Sequence, residues 1–234
     1  MRNPILVALD VPKLETALHL AETLAPVVGA FKVGTELFVS AGPEVVRRLR
    51  ALGAAVFLDL KFHDIPNTVA GAVEAAVRLD VQMVTVHLSG GTAMVRAGEQ
   101  AAQETARSLN KTPPLVLGVT ILTSLDSNEL AEVGMDPNVG HQVERLASLA
   151  VKAGLRGLVC SALEIAALRQ IVPEVMQLVA PGIRPAGSDK GDQKRTLSPK
   201  EALDAGADWL VIGRPICAAP NPRVAAEQIL ASLE

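Results

Sequence analysis

The chain has 234 residues, 49 % of them hydrophobic and 20 % charged, with a net charge of −3. That balance excludes an intrinsically disordered chain, and the weak acidity, the 2 % aromatic content and the lack of any tyrosine argue against a nucleic-acid-binding surface. No apolar run reaches the ~18 residues of a membrane span, and the only cysteines, Cys160 and Cys217, follow no metal or redox spacing and read as small apolar residues in a reducing cytosol.

The N-terminal MRNPILVALD enters a strand-like run almost at once, with too little apolar length for a secretory leader, so a cytoplasmic protein is expected. Short runs rich in valine, isoleucine and leucine then recur. In order they are ILVAL (5–9), AFKVG (30–34), AVFLDL (55–60), QMVTVH (82–87), LVLGVT (115–120), GLVCS (157–161), VMQLVAPG (175–182) and WLVIG (209–213). Near-continuous hydrophobicity marks strands buried on both faces, as in parallel sheets. Segments of helical period lie between them, such as LETALHLAETLA (14–25) and VAGAVEAAVRL (69–79). Glycines in ALGAAVFLDL, KAGLRGLVC and DAGADWLVIG stand where a helix ends and a strand begins. Eight such units predict an α/β chain folded as one (β/α)8 TIM barrel domain over residues 1–234, with a doubly wound open sheet as the alternative. Segments 123–140 and 183–199 are longer than a connection needs and follow the fifth and seventh strands, on the side where barrel enzymes keep their active sites.

The third run continues as FLDLKFHDIPNT (57–68), which sets Asp59, Lys61 and Asp64 directly after an apolar stretch. Alternation puts Phe57, Asp59 and Lys61 on one strand face and Leu58 and Leu60 on the other. The same parity turns Asp10, Lys32 and His87 inward, so four successive strands bring polar groups to one mouth. A ring of structural ion pairs would show this pattern too, although desolvation offsets much of the attraction between buried charges. Asp64 also suits a helix N-cap, because DIPN reads as a helix start. No two histidines have metal-binding spacing, and His63 and His141 read as surface or loop residues.

The far end carries different chemistry. WLVIGRPI (209–216) places Gly213 and Arg214 after the eighth strand, and APGIRP (180–185) and GDQKR (191–195) supply further donors from the preceding loop. Barrels often bind phosphate through these two loops, and the guanidinium fork matches paired phosphate oxygens. Neither a dinucleotide-binding nor a triphosphate-binding glycine loop occurs. Composition and spacing thus point to a small phosphorylated ligand whose reacting end lies near Lys32, Asp59 and Lys61. They leave the reaction open.

Seven stretches in order carry a resemblance over nearly the whole chain: LVALDVP (6–12), FKVGTELF (31–38), FLDLKFHDIPNTV (57–69), TVHLSGG (85–91), GVTILTS (118–124), APGIRPAGSDKGDQKR (180–195) and VIGRPI (211–216). On these the chain resembles the orotidine 5'-phosphate decarboxylase family, in its shorter bacterial group. The resemblance implies a homodimeric barrel that uses no cofactor and no metal, and makes uridine 5'-phosphate and carbon dioxide in pyrimidine biosynthesis. It implies that Lys61 donates a proton to pyrimidine C6, that Asp59 faces the departing carboxylate, and that Lys32 holds Asp59 and a ribose hydroxyl. Asp64 and Ile65 would reach into the partner's site, Asp10 and Thr68 would contact ribose, and Thr123 or Ser124 would read the ring. Arg184, Gln193, Gly213 and Arg214 would bind phosphate. Leu88 stands where the resemblance calls for a small residue.

Two other classes share parts of this pattern. Metal-dependent sugar-phosphate lyases of the same superfamily resemble the chain at DLKFHD, but carry a glutamate ligand where Lys32 stands. A non-catalytic phosphate-ligand binding module would require the charged set to be idle.

Overall fold

The computed structural model describes residues 3–185 and 196–233. Eight parallel strands close in chain order into a barrel, the last pairing with the first. They are β1 (Ile5–Ala8), β2 (Ala30–Gly34), β3 (Val56–Phe62), β4 (Met83–His87), β5 (Leu115–Val119), β6 (Gly157–Val159), β7 (Gln177–Ala180) and β8 (Trp209–Ile212). Outside them run α1 (Leu14–Leu24), α2 (Thr35–Ala41), α3 (Glu44–Ala51), α4 (Pro66–Arg78), α5 (Gly91–Ser108), α6 (Ser127–Glu132), α7 (Val139–Ala153), α8 (Ile165–Leu168), α9 (Pro199–Asp204), α10 (Arg214–Cys217) and α11 (Pro222–Ala231). The closed ladder excludes the open-sheet alternative. None of the described helices is long and apolar enough to cross a membrane.

The pleat sorts side chains into two apolar layers. Leu6, Ala30, Phe57, Met83, Leu117, Val179 and Trp209 fill the barrel interior. Their neighbours Val7, Phe31, Leu58, Val84, Val116 and Leu210 point outward into the larger layer beneath the helices. This double burial is why the strands read as unbroken hydrophobic runs. Trp209 is accommodated inside because its indole N–H donates to Gln177 Oε1 at 2.8 Å. Helix ends follow the expected chemistry: α7 stops at Gly154 in the left-handed conformation (φ 86°), and the chain turns directly toward β6. Within the long 123–140 segment, Asp126 and Glu129 form a reciprocal capping box that starts α6.

Leu88 has a packing explanation. It is fully buried just beyond β4, against Gly118 of β5, where a Cβ would lie 2.6 Å from Leu88 Cδ2 and 3.0 Å from Leu155 Cδ1. A large residue at 88 is thus matched by the absence of a side chain at 118. Gly118→Ala should lower the stability by about 1–3 kcal/mol through overpacking, read from the urea midpoint, and adding Leu88→Ala should recover part of that loss.

One buried carboxylate lies away from the barrel mouth. Glu99 on α5 accepts from Gln103 Nε2 (2.8 Å) and Arg156 Nε (3.1 Å) through Oε1, while Oε2 has no partner among the described residues. Burial pushes its pKa above the ordinary value, against the opposing pull of Gln103 and Arg156. The folded chain therefore holds this proton more tightly than the unfolded one. Its contribution is full below the ordinary value of 4.5 and is lost as pH rises through the raised native value. Denaturant titrations across that window should show wild type losing ground to Glu99→Gln as pH increases.

Candidate active site

At the C-terminal mouth, the inward parity that packs the interior lower down delivers polar groups instead. Lys32 pairs with Ala8 across β1 and β2, and the ladder runs on through the Leu9 N–H to the Lys32 carbonyl (3.0 Å), which brings Asp10 beside it. Lys32 Nζ lies 3.0 Å from Asp10 Oδ1 and 3.7 Å from Asp59 Oδ2. Lys61 Nζ lies 2.9 and 3.0 Å from the two oxygens of Asp59. The four groups alternate in sign, as Asp10, Lys32, Asp59, Lys61. The inner members are the drier ones: side-chain exposure is 58 % for Asp10, 35 % for Lys61, 12 % for Asp59 and 11 % for Lys32.

Lys61 does not arrive by simple alternation. It has φ 51°, in the left-handed region, and the β3–β4 register shifts between Leu58 and Phe62. Leu58 pairs with Val84 and Phe62 with Val86, so β3 carries extra residues opposite Thr85. The bulge turns Lys61 back over Asp59, at a local cost of about 1 kcal/mol or more for a non-glycine residue. Thr85 is fully buried in the gap, accepts the Lys61 backbone N–H (2.8 Å) and donates to Asp59 Oδ1 (3.0 Å).

Two adjoining cavities share Lys32, Pro181 and Val211. The first, about 250 Å³, holds Asp59 and Lys61 against an apolar wall that includes Val119, Ile121 and Val159. Thr123 and Ser124 also line it, so either can face a ring bound there. The second, about 410 Å³, is lined by Asp10, Gly182, Arg184, Gly213 and Arg214. The loops after β7 and β8 thus share one cavity. The base of the 183–199 loop is tied by the Arg184 N–H to the Leu197 carbonyl (3.0 Å), whereas Gln193 and the middle of that loop lie outside the described residues.

Other expectations land elsewhere. Asp64, Ile65 and Thr68 are exposed at the start of α4 and line neither cavity of their own chain. The N-cap of α4 is Ile65 with Pro66 next, so Asp64 is not the cap; its Oδ1 accepts the Ile65 N–H at 2.6 Å. His87 ends β4 but is not among the residues lining the first cavity, and its ring packs at 5.5 Å against His63. Burial, then the nearby His63 and Lys61, push the His87 pKa down. His63 therefore has a partner that its sequence context did not signal.

Thr85 and Gly34 also border the charged groups, although no motif assigns a role to either. Parity offered the signal for both, because Thr85 lies two positions before His87 and Gly34 two after Lys32. A Cβ at Gly34 would stand 2.9 Å from Lys32 Nζ and 3.3 Å from Asp10 Oδ1. Gly34→Ala should therefore leave the fold intact while displacing the Lys32 ammonium. The expected result is a drop in turnover of at least roughly tenfold, with a melting temperature close to wild type.

The chain is similar to known proteins over its whole length. Residues 3–229 match the model of the family described as Orotidine 5'-phosphate decarboxylase / HUMPS family. A protein named orotidine 5'-phosphate decarboxylase from Moorella thermoacetica is 52 % identical over 100 % of this chain and 93 % of its own length. One of the same name from Pseudomonas paraeruginosa is 53 % identical over 99 % of this chain and 98 % of its own. The crystal structure of orotidine 5'-phosphate decarboxylase from Lactobacillus acidophilus superposes with a TM-score of 0.88 at 35 % identity, covering 99 % of both chains.

Proposed function

The chain belongs to the orotidine 5'-phosphate decarboxylase / HUMPS family, and on that premise we propose that it converts orotidine 5'-phosphate into uridine 5'-phosphate and carbon dioxide, in pyrimidine biosynthesis in the cytoplasm. The observation that carries this reading is the Lys61 ammonium, 2.9 Å from Asp59 and facing an apolar cavity. Breaking the bond between C6 and its carboxylate leaves an electron pair on C6, in the plane of the ring and out of reach of the π system. A fixed cation beside C6 stabilises that charge as it grows, and no reorganisation is needed when it forms. The same ammonium then hands a proton to C6.

The surrounding residues supply the conditions for this. The Asp59 carboxylate holds the Lys61 ammonium in place through both of its oxygens, and it meets the substrate carboxylate with like charge until carbon dioxide leaves. Lys32 holds Asp59 in place from the other side and faces the ribose together with Asp10. Arg184, Gly213 and Arg214 take the phosphate, with Gln193 assigned to it by the resemblance. Thr123 or Ser124 reads the pyrimidine. The phosphate is remote from C6, so its binding energy aligns the ring against Lys61 without acting on the bond that breaks.

Asp64, Ile65 and Thr68 enter this reading through a second copy of the chain. Ile65 is 66 % exposed, a large apolar residue next to the exposed Asp64, at the rim of the barrel. In a homodimer these residues complete the partner's site, Asp64 beside the partner's ammonium groups. Two ammonium groups already share Asp59, which disfavours the metal ion that the sugar-phosphate lyases require.

Loss of the orotidine 5'-phosphate absorbance band tests the activity. Wild type should consume the substrate equally with and without EDTA, and Lys61→Ala should be slower by at least about a thousandfold while remaining folded. Substrate left untouched by wild type would contradict the reading, and loss only without EDTA would favour a metal-dependent reaction. Sharing of sites has its own test. Mixing inactive Lys61→Ala with inactive Asp64→Ala chains should restore roughly a quarter of wild-type activity, because half the dimers then carry one intact site. No recovery after confirmed subunit exchange would place Asp64 outside the partner's site.

A further inference from the structure

We propose that Thr85 is a positioning residue of this site, its hydroxyl locking the Asp59 carboxylate and the Lys61 backbone into one geometry. The inference rests on the decarboxylase reading for its consequence, and on local geometry for its substance. A threonine in the middle of a barrel strand is ordinary, because β-branched residues suit strands. Its hydroxyl is not ordinary here. Thr85 is fully buried, and a buried hydroxyl needs its partners supplied by the protein.

Both partners belong to the reacting pair. The Lys61 N–H donates to Thr85 Oγ1 at 2.8 Å, and Oγ1 lies 3.0 Å from Asp59 Oδ1. A hydroxyl has one proton. The Lys61 N–H points into an Oγ1 lone pair, and a carboxylate can only accept, so the hydroxyl proton is directed at Asp59. The same Asp59 oxygen receives Lys61 Nζ at 2.9 Å. Lys61 is therefore held at both ends by one closed circuit, through its backbone to Thr85 and through its ammonium to Asp59.

The location explains the need. The β3–β4 ladder is interrupted between Leu58 and Phe62, and Lys61 sits in the interruption with φ 51°. A backbone N–H at such a bulge lacks its regular ladder partner, and Thr85 provides one from the facing strand. Without that acceptor the left-handed turn loses a restraint, and Asp59 gains freedom to rotate away from Lys61. An ammonium displaced by even an ångström from C6 loses much of its effect on the transition state.

The test compares Thr85→Val, which keeps the shape and removes the hydroxyl, with Thr85→Ser, which keeps the hydroxyl. Thr85→Cys replaces valine if that variant does not fold, since a thiol is a weak donor and acceptor of similar size. Thr85→Val should lower kcat roughly tenfold to a hundredfold with KM changed less than about threefold, and Thr85→Ser should recover most of the loss. A second readout needs no substrate: hydrogen exchange of the Lys61 amide, followed by NMR, should accelerate at least about tenfold in Thr85→Val and return in Thr85→Ser. Unchanged kcat, a loss confined to KM, a defect that serine does not repair, or unchanged amide protection would each overturn the proposal. Wild type that leaves orotidine 5'-phosphate untouched while the amide still responds would sink the decarboxylase reading and leave the positioning geometry supported.

Discussion

The Asp59 carboxylate is the point on which the site depends. One group, 12 % exposed, is approached by two ammonium ions and a hydroxyl, with Lys61 Nζ at 2.9 Å, Thr85 Oγ1 at 3.0 Å and Lys32 Nζ at 3.7 Å. Unit charges at 4 Å attract by roughly 4 kcal/mol at an effective dielectric of 20, and desolvation consumes much of that gain. The arrangement is therefore poorly explained as a stabilising device. On the proposed reading its physical meaning is preorganisation, because the cations are already placed and neutralised before a second anion enters.

The barrel makes this possible by dividing its interior by height. Below the mouth, Phe57, Leu117, Trp209 and their neighbours form a packed apolar plug. One pleat higher, the same parity yields Asp10, Lys32, Asp59 and Thr85, which therefore rest on a dry floor. The wall formed by Val119, Ile121 and Val159 continues that low-dielectric surface beside Lys61. The donors of the loops after β7 and β8 gather on the other side, with Lys32 at the junction of the two cavities. A ligand spanning both would place its phosphate and its reacting ring at fixed separation.

Much of this was legible in the sequence, and the exceptions have physical causes. Strands buried on both faces leave unbroken hydrophobic runs, so all eight could be located, and alternation correctly turned Asp10, Lys32 and Asp59 inward. For Lys61, alternation reached the right cavity through the wrong geometry, since a bulge and a left-handed backbone deliver its side chain and no spacing rule announces them. Thr85 escaped notice because threonine is common in strands, and its importance lies in two partners known only once β3 and β4 are paired. Gly34 matters through a contact its missing side chain does not make. Asp64, Ile65 and Thr68 lie outside both cavities of their own chain, and the role proposed for them rests on a second copy, which no spacing within one chain can signal.

The most direct measurement follows the reverse of the proton transfer. Uridine 5'-phosphate is held with the protein in deuterium oxide, and the C6 position is monitored by NMR. If Lys61 delivers the proton to C6 during decarboxylation, microscopic reversibility requires it to remove that proton from bound product. Wild type should then introduce deuterium at C6, and Lys61→Ala should not. Exchange that persists undiminished in Lys61→Ala would contradict the assignment of the proton to Lys61 and with it the role given to the charged network.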